Sequence, residues 1–154
     1  MEERFDLFIY LISGIYKSIQ RIRTEKATEA GIKTVNTIWL LQMRNEPEGI
    51  TANELAQKCL VDKSLISHEL VHMEREGLVR CDMVLEDAKY TRKIYLTKKG
   101  RKIAEKFSEV AKKCQNILNT GVPNDELTVF YRVLRLFYDR LEGAVNDYLP
   151  RGLL

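Results

Sequence analysis

The chain has two histidines, His68 and His72, and both fall in one stretch, DKSLISHELVHMEREGLVR, residues 62–80. Three kinds of chemistry could use it. Histidines four apart share one face of a helix and could ligate a metal together. Further ligands would then have to come from carboxylates or from Cys81. Ser64 and Ser67 near His68 invite a nucleophilic reading. Residues on one exposed helix, however, lack the third orienting group and the oxyanion hole that such catalysis needs. The third reading uses more of the stretch. Ile66, Leu70 and Met73 recur at i, i+4 and i+7 and so mark a buried stripe. Lys63, Ser64, Ser67 and His68 are left as a polar outer face, with Leu65 beside them to meet a thymine methyl. Such a face suits the major groove of DNA, which is wide enough for a helix. A metal would occupy the same face. The expectation is therefore DNA contact, with no catalytic residue, no metal and no cofactor. The chain also has no Gly-rich phosphate loop, no H-E-x-x-H and no nucleophile elbow.

A helix that enters a groove must be held from behind and flanked. Upstream, ITANELAQKCL has Thr51 followed three residues later by Glu54, a capping box that fixes a helix start at Thr51. Leu55 and Leu60 are expected to face inward. Asp62 is the expected N-cap of the next helix, and Gly77 its C-terminal stop. After Gly77 the period drops to two. Val79, Cys81, Met83 and Leu85 form an apolar side, EDAKY a polar turn, and TRKIYL a return strand with Ile94 and Leu96 opposite Lys93 and Tyr95. That is a hairpin. Thr97 then caps a long helix that Gly121 and Pro123 end. Before the capping box, ATEAGIKTVNTIWLLQMRNEPEG reads as one helix with Val35, Ile38, Trp39 and Met43 on its buried side. Pro47 and Gly49 stop it.

The two ends of the chain carry a wide apolar seam at helical spacing. Near the N-terminus it runs through Phe5, Phe8, Ile12, Ile15, Ile19 and Ile22, with Ile9 and Tyr16 beside it. Near the C-terminus it runs through Leu127, Phe130, Leu134, Phe137, Leu141, Ala144 or Val145, and Tyr148, with Tyr131 and Tyr138 beside it. Seams of this size are rare on monomers, so each is expected to pair with a second copy of the chain.

The bulk numbers agree with a packed domain: 154 residues, 45% hydrophobic and 31% charged. The net charge of +3 is weak, but its distribution is uneven. Ten basic residues lie between Lys89 and Lys113, opposed only by Glu105 and Glu109. Such a block is the footprint of a polyanion partner. Within it, Lys89, Arg92 and Lys93 fall on the hairpin, where they are expected to hold phosphates. The three cysteines are far apart with no C-x-x-C pair, which suits free thiols. Cys59 and Cys81 read as small core residues. Cys114, after Lys112 and Lys113, is the candidate reactive thiol. No signal peptide and no membrane-length apolar run appear, and a cytoplasmic protein is expected.

Two short helices joined by a tight break and followed by a hairpin make a winged helix-turn-helix. The fold class expected is mainly α with a small β-hairpin wing, the winged helix-turn-helix being flanked by N- and C-terminal dimerisation helices. Here the chain resembles the MarR family of bacterial transcription regulators. TANELAQKCLVDKSLISHELVHMEREGLVR and IYLTKKGRKIAEKF carry the resemblance, which extends over nearly the whole length. It implies a homodimer of single MarR-like domains, with residues 1–26 and 123–149 as dimerisation helices, 33–100 as the winged lobe and 98–120 as a linking helix. It also implies a repressor on double-stranded DNA with a palindromic operator, relieved by a small phenolic or other aromatic effector between the two lobes. Tyr16, Trp39 and Met43 are the candidates to line that pocket. The chain departs from the family pattern in two places. His68 stands where an arginine is usual, and Asp87-Ala88-Lys89 replaces the usual Asp-x-Arg of the wing tip. Two other readings stay open: a metal- or redox-gated regulator of the same fold, and a winged-helix scaffold for protein contacts that binds no DNA.

Overall fold

The computed structural model describes residues 2–148. Six helices and one hairpin follow in the order α1 (Glu2–Ala30), α2 (Thr34–Arg44), α3 (Ala52–Cys59), α4 (Lys63–Arg75), β1 (Val79–Glu86), β2 (Lys89–Leu96), α5 (Lys98–Asn119) and α6 (Asn124–Tyr148). The element order matches the one expected from the sequence. Two boundaries differ: the hairpin turn is Asp87-Ala88 alone, so Glu86, Lys89 and Tyr90 of EDAKY belong to the strands, and the first helix runs further than expected. Residues 27–30 belong to α1, not to the helix that follows, because Gly31 adopts φ +67° and breaks the chain there. α2 therefore starts only at Thr34. Leu149 lies outside the described residues, as does the side chain of Tyr148.

The chain divides into two compact units, one ending at Ala111 and the other beginning at Lys112. In the first, one core joins α2, α3, α4, the base of the hairpin and the start of α5. Trp39, Leu40, Met43, Ile50, Leu55, Ile66, Leu70, Met73, Leu78, Val79, Ile94 and Ala104 are all buried in it. Three local devices shape this core. Thr51 and Glu54 form the expected capping box, the Glu54 N–H donating to Thr51 Oγ1 (3.2 Å) and the Thr51 N–H to Glu54 Oε2 (2.8 Å). The Thr51 N–H and then its hydroxyl, each donating to Glu54 Oε2 at 2.8 Å, hold that carboxyl below its ordinary range. Ile50 exchanges backbone hydrogen bonds with Ile94 (3.1 and 2.8 Å), which ties the segment before α3 onto the wing. Thr97 Oγ1 donates to the Gly77 carbonyl (2.6 Å) and accepts from the Gly100 N–H (3.0 Å), so the cap of α5 also holds the end of α4. Gly77 makes that turn possible at φ +70°.

Three expectations of the sequence fail here. Leu60 does not face inward. It is the C-cap of α3 in the left-handed conformation (φ 54°), is 72% exposed, and leaves Val61 to pack against the core. Asp62 occupies the N-cap position of α4 but makes no side-chain capping bond. The apolar side of β1 is only half covered. Val79 is buried and Cys81 packs on the core, whereas Met83 and Leu85 are 61% and 59% exposed because the hairpin runs past the edge of the lobe.

In the second unit α6 presents Phe130, Phe137 and Leu141 to solvent, while Leu127 and Leu134 are half-buried. In the first unit α1 presents Phe5, Ile12 and Ile15, with Phe8 half-buried and its ring stacked on Phe5 at 6.3 Å between centroids. No helix among the described residues is long and apolar enough to cross a membrane.

Candidate nucleic-acid interface

α4 separates its two faces as its sequence demands. Ile66 and Met73 are fully buried and Leu70 nearly so. Lys63, Ser64, Leu65, Ser67 and His68 are all exposed, so the structure brings the expected helix residues together on one outer surface. Lys63, Ser64 and Leu65 occupy the first turn, where the positive end of the helix dipole favours phosphate. The imidazole of His68 is 73% exposed. His72, one turn on, is half-buried, and its Nδ1 lies 2.8 Å from Arg75 Nη2.

Two contacts fix the axis of α4, and the sequence reading found neither. Glu69 is 7% exposed and takes Lys33 Nζ on both carboxylate oxygens, at 2.9 and 2.8 Å. Lys33 stands at the N-cap of α2, so this pair locks α4 to α2. The lysine's hydrogen bond, more than any other cause, holds the Glu69 carboxyl below its ordinary range. At the other end, Lys99 Nζ donates to the Glu76 carbonyl at 2.8 Å, a cation on the negative pole of the helix. Glu69 stands between His68 and Leu70 at a position that helical spacing leaves ambiguous. The only sequence signal for it was a carboxylate inside an otherwise apolar flank.

The wing is a regular antiparallel pair, Val79 opposite Leu96 through Glu86 opposite Lys89. Its two-residue turn, Asp87-Ala88, has both residues at positive φ (48° and 61°), the geometry of a type I′ turn. The three basic wing residues do not share a face. Because side chains alternate, Arg92 lies with Met83, Cys81 and Ile94, while Lys89 and Lys93 lie on the opposite side. Lys89 is exposed. The Lys93 ammonium is 2.5 Å from Glu86 Oε1, and that carboxylate raises its pKa; the side chain as a whole is 16% exposed. Arg92 Nη2 lies 3.2 Å from Glu74 Oε2 on α4. Arg80, at the base of the wing and not expected from the sequence, stacks its guanidinium 4.4 Å over the Tyr95 ring and pairs with Asp82.

The residues expected to line an effector pocket are not brought together. Trp39 and Met43 are 1% and 2% exposed inside the core and offer no surface to a ligand arriving from solvent. Tyr16 is 60% exposed on α1, where it accepts a hydrogen bond from Gln20. A cleft does exist between the end of α1 and α5, lined by Lys26, Glu29, Ala30, Lys106, Phe107 and Val110, with a volume of about 160 Å³. Burial pushes the Cys59 thiol up to about 11, and it raises that of Cys81 as well. A reactive cysteine needs the reverse shift.

No protein-family model matches the sequence, and no curated protein matches it. Solved structures do. The chain superposes on MepR of S. aureus, in a structure of a MepR–DNA complex, with a TM-score of 0.78 at 20% identity, covering 87% of this chain and 96% of that one. It matches the transcriptional regulator SlyA with a TM-score of 0.76 at 16% identity, covering 92% and 98%. A MarR family protein from Bacillus stearothermophilus gives a TM-score of 0.68 at 24% identity over 92% and 98%. The chain thus has the winged-helix fold of these regulators across almost its whole length.

Proposed function

We propose that this chain is a MarR-type DNA-binding transcription regulator in which α4 enters the major groove and the wing holds the flanking backbone. The observation that carries this reading is the division of α4. Ile66, Leu70 and Met73 are spent on the core, while Lys63, Ser64, Ser67 and His68 lie together in solvent beside a basic hairpin. Shared fold with a protein solved on DNA adds support. Lys63, Ser64 and Lys89 position the protein on phosphates. Leu65, Ser67 and His68 read base edges. Arg92 and Lys93 each have an acidic partner and contribute to DNA only when those partners release them.

The apolar seams of α1 (Phe5, Phe8, Ile12, Ile15) and α6 (Leu127, Phe130, Leu134, Phe137, Leu141), exposed except for the half-buried Phe8, Leu127 and Leu134, support a homodimer. Two copies of α4 related by a two-fold axis would then call for a palindromic operator. Repression, with relief by a small phenolic or other aromatic effector, completes the reading. The α1–α5 cleft is below the roughly 300 Å³ of most ligand pockets, so it suits a single-ring effector. The raised thiols of Cys59 and Cys81 speak against a redox-sensing role for those two cysteines.

The deciding experiment is an anisotropy titration of the chain against genomic fragments at several salt concentrations. The expected result is a retained fragment whose affinity falls steeply with salt, because phosphate contacts release counterions. Ser67→Ala or His68→Ala changes the preference between fragments by about 1–3 kcal/mol at the contacted base pair. Failure to retain any fragment at low salt overturns the reading and leaves the protein-contact scaffold. Light scattering should give twice the chain mass.

A further inference from the structure

We propose that His68, Glu69 and His72 form a binding site for a divalent d-block cation on α4, and that its occupancy takes the helix off DNA. The second half rests on the DNA-binding reading above; the first does not.

The three side chains are at i, i+1 and i+4 of one helix, and their ligand atoms all lie within 4.8 Å of one another. His68 Nδ1 is 3.5 Å from Glu69 Oε1. Two donors on a tetrahedral zinc, each about 2.1 Å from it, are roughly 3.4 Å apart, so this edge is already set. The two imidazoles stand with centroids 5.3 Å apart at 57° to one another, tilted and not stacked. A rotamer change at His72 closes the two remaining edges, to His68 and to Glu69.

The donor set selects the ion. Two imidazole nitrogens and one carboxylate oxygen suit zinc, nickel or copper, not the all-oxygen coordination of magnesium or calcium. Three protein ligands leave a fourth position for water. Glu69 is the part that turns a pair of surface histidines into a site. It is 7% exposed and is held in place by Lys33 through both oxygens. A carboxylate has about four lone-pair sites, so one oxygen can take the cation while Lys33 keeps the other. His68 provides the entrance, being 73% exposed. Two opposing features limit affinity: the charge of Lys33, and Arg75, whose guanidinium the bound ion would have to displace from His72 Nδ1.

The consequence for DNA follows from place. His68 belongs to the face that reads bases, beside Ser64 and Ser67. A hydrated cation there occupies the space of the base edges and withdraws His68 from them. Charge alone predicts the opposite, since an added positive charge tightens binding to a polyanion. The two effects therefore have different signs, and the measurement separates them.

The test uses the full chain, first without DNA. Cobalt(II) is added and its visible absorption followed, then zinc is added to displace it, with zinc affinity read by calorimetry. One ion per chain is expected, giving the absorption of a nitrogen- and oxygen-bound site. His68→Gln and His72→Gln, the chain's only histidines, should each weaken zinc by about tenfold or more. These positions are exposed or half-buried, and circular dichroism checks that the variants fold. Both variants keep all three cysteines, so undiminished binding in the double variant would assign the ion to thiols and overturn the site. Zinc is then added to the protein on a retained DNA fragment. A drop in affinity of about tenfold in the wild type, absent in the double variant, supports the coupling. Binding of zinc with unchanged or tighter DNA affinity overturns it. A protein that binds zinc at these residues and retains no DNA would instead refute the DNA-binding reading and leave the site standing.

Discussion

Arg92 on the return strand of the wing reaches back to Glu74 in the last turn of α4, with Nη2 3.2 Å from Oε2. The contact ties the wing to the recognition helix and withholds one guanidinium from DNA. Glu74 also sits at Cys81, where it adds to the burial that raises the thiol. The pair is largely exposed, so it contributes little to stability. Glu74→Gln should leave the unfolding curve nearly unchanged and tighten binding to all DNA fragments alike, with the salt slope steeper by about one. Arg92→Ala removes a guanidinium that Glu74 already holds, so it should change DNA binding less than Glu74→Gln does. If Glu74→Gln weakens DNA binding, the pair orients the wing and does not restrain it.

The wing turn stores strain that one substitution removes. Asp87 and Ala88 both lie in the left-handed region. An aspartate tolerates it, but an L-residue such as alanine costs about 1–2 kcal/mol there. Ala88→Gly should therefore stabilise the protein by up to about 1 kcal/mol, the greater freedom of glycine in the unfolded chain offsetting part of the gain. Urea unfolding measures it. A destabilised variant would mean that the turn is not held in the I′ geometry.

Gly100 is required for a different reason. A Cβ built there would lie 1.9 Å from the Leu78 carbonyl oxygen, a backbone atom that cannot swing aside. Gly100→Ala should push α5 away from the turn after α4, breaking the Thr97 clamp. The expected loss is about 3 kcal/mol or more, at the upper end for overpacking. Gly14, inside α1, is the internal control. A Cβ there meets nothing within 4 Å, so Gly14→Ala should stabilise by about 0.5–1 kcal/mol through helix propensity alone. Equal effects at the two sites would refute the packing argument.

Much of this architecture could be read from local signals. The Thr51–Glu54 box, the stripe Ile66–Leu70–Met73 and the change of period after Gly77 each encode a structure that depends on nearby residues only, and each appears where expected. What escaped depends on neighbours distant in sequence. Leu60 looks like core by type, yet the left-handed cap turns it outward. Met83 and Leu85 alternate correctly but outrun the lobe that would cover them. Trp39 and Met43 read both as the buried side of their helix and as pocket lining, and the core takes both. The clearest case is Glu69. Its partner Lys33 is 36 residues away, and no spacing rule joins them. Without that pair, His68 and His72 are an ordinary pair of surface imidazoles.

The same pair gives α4 a pH-dependent anchor. Lys33 holds the Glu69 carboxyl below its ordinary value of 4.5 in the folded protein, through a direct hydrogen bond first and its charge second. The folded state therefore binds that proton less readily than the unfolded state does. By linkage, the pair's stabilisation is fully present above pH 4.5 and is lost as the pH falls through the depressed folded value. Glu69→Gln removes the titrating group. Its unfolding free energy should be lower than the wild type's at neutral pH, by about 1–2 kcal/mol, since Lys33 is half-exposed and keeps access to water. The gap should narrow as pH drops below about 4.5 and close at strongly acidic pH, where the wild-type carboxyl is protonated too. Urea midpoints of the two proteins between pH 7 and pH 3 decide it. A gap that stays constant through the acid range would show that Glu69 supports α4 by shape and hydrogen bonding, with its charge playing no part.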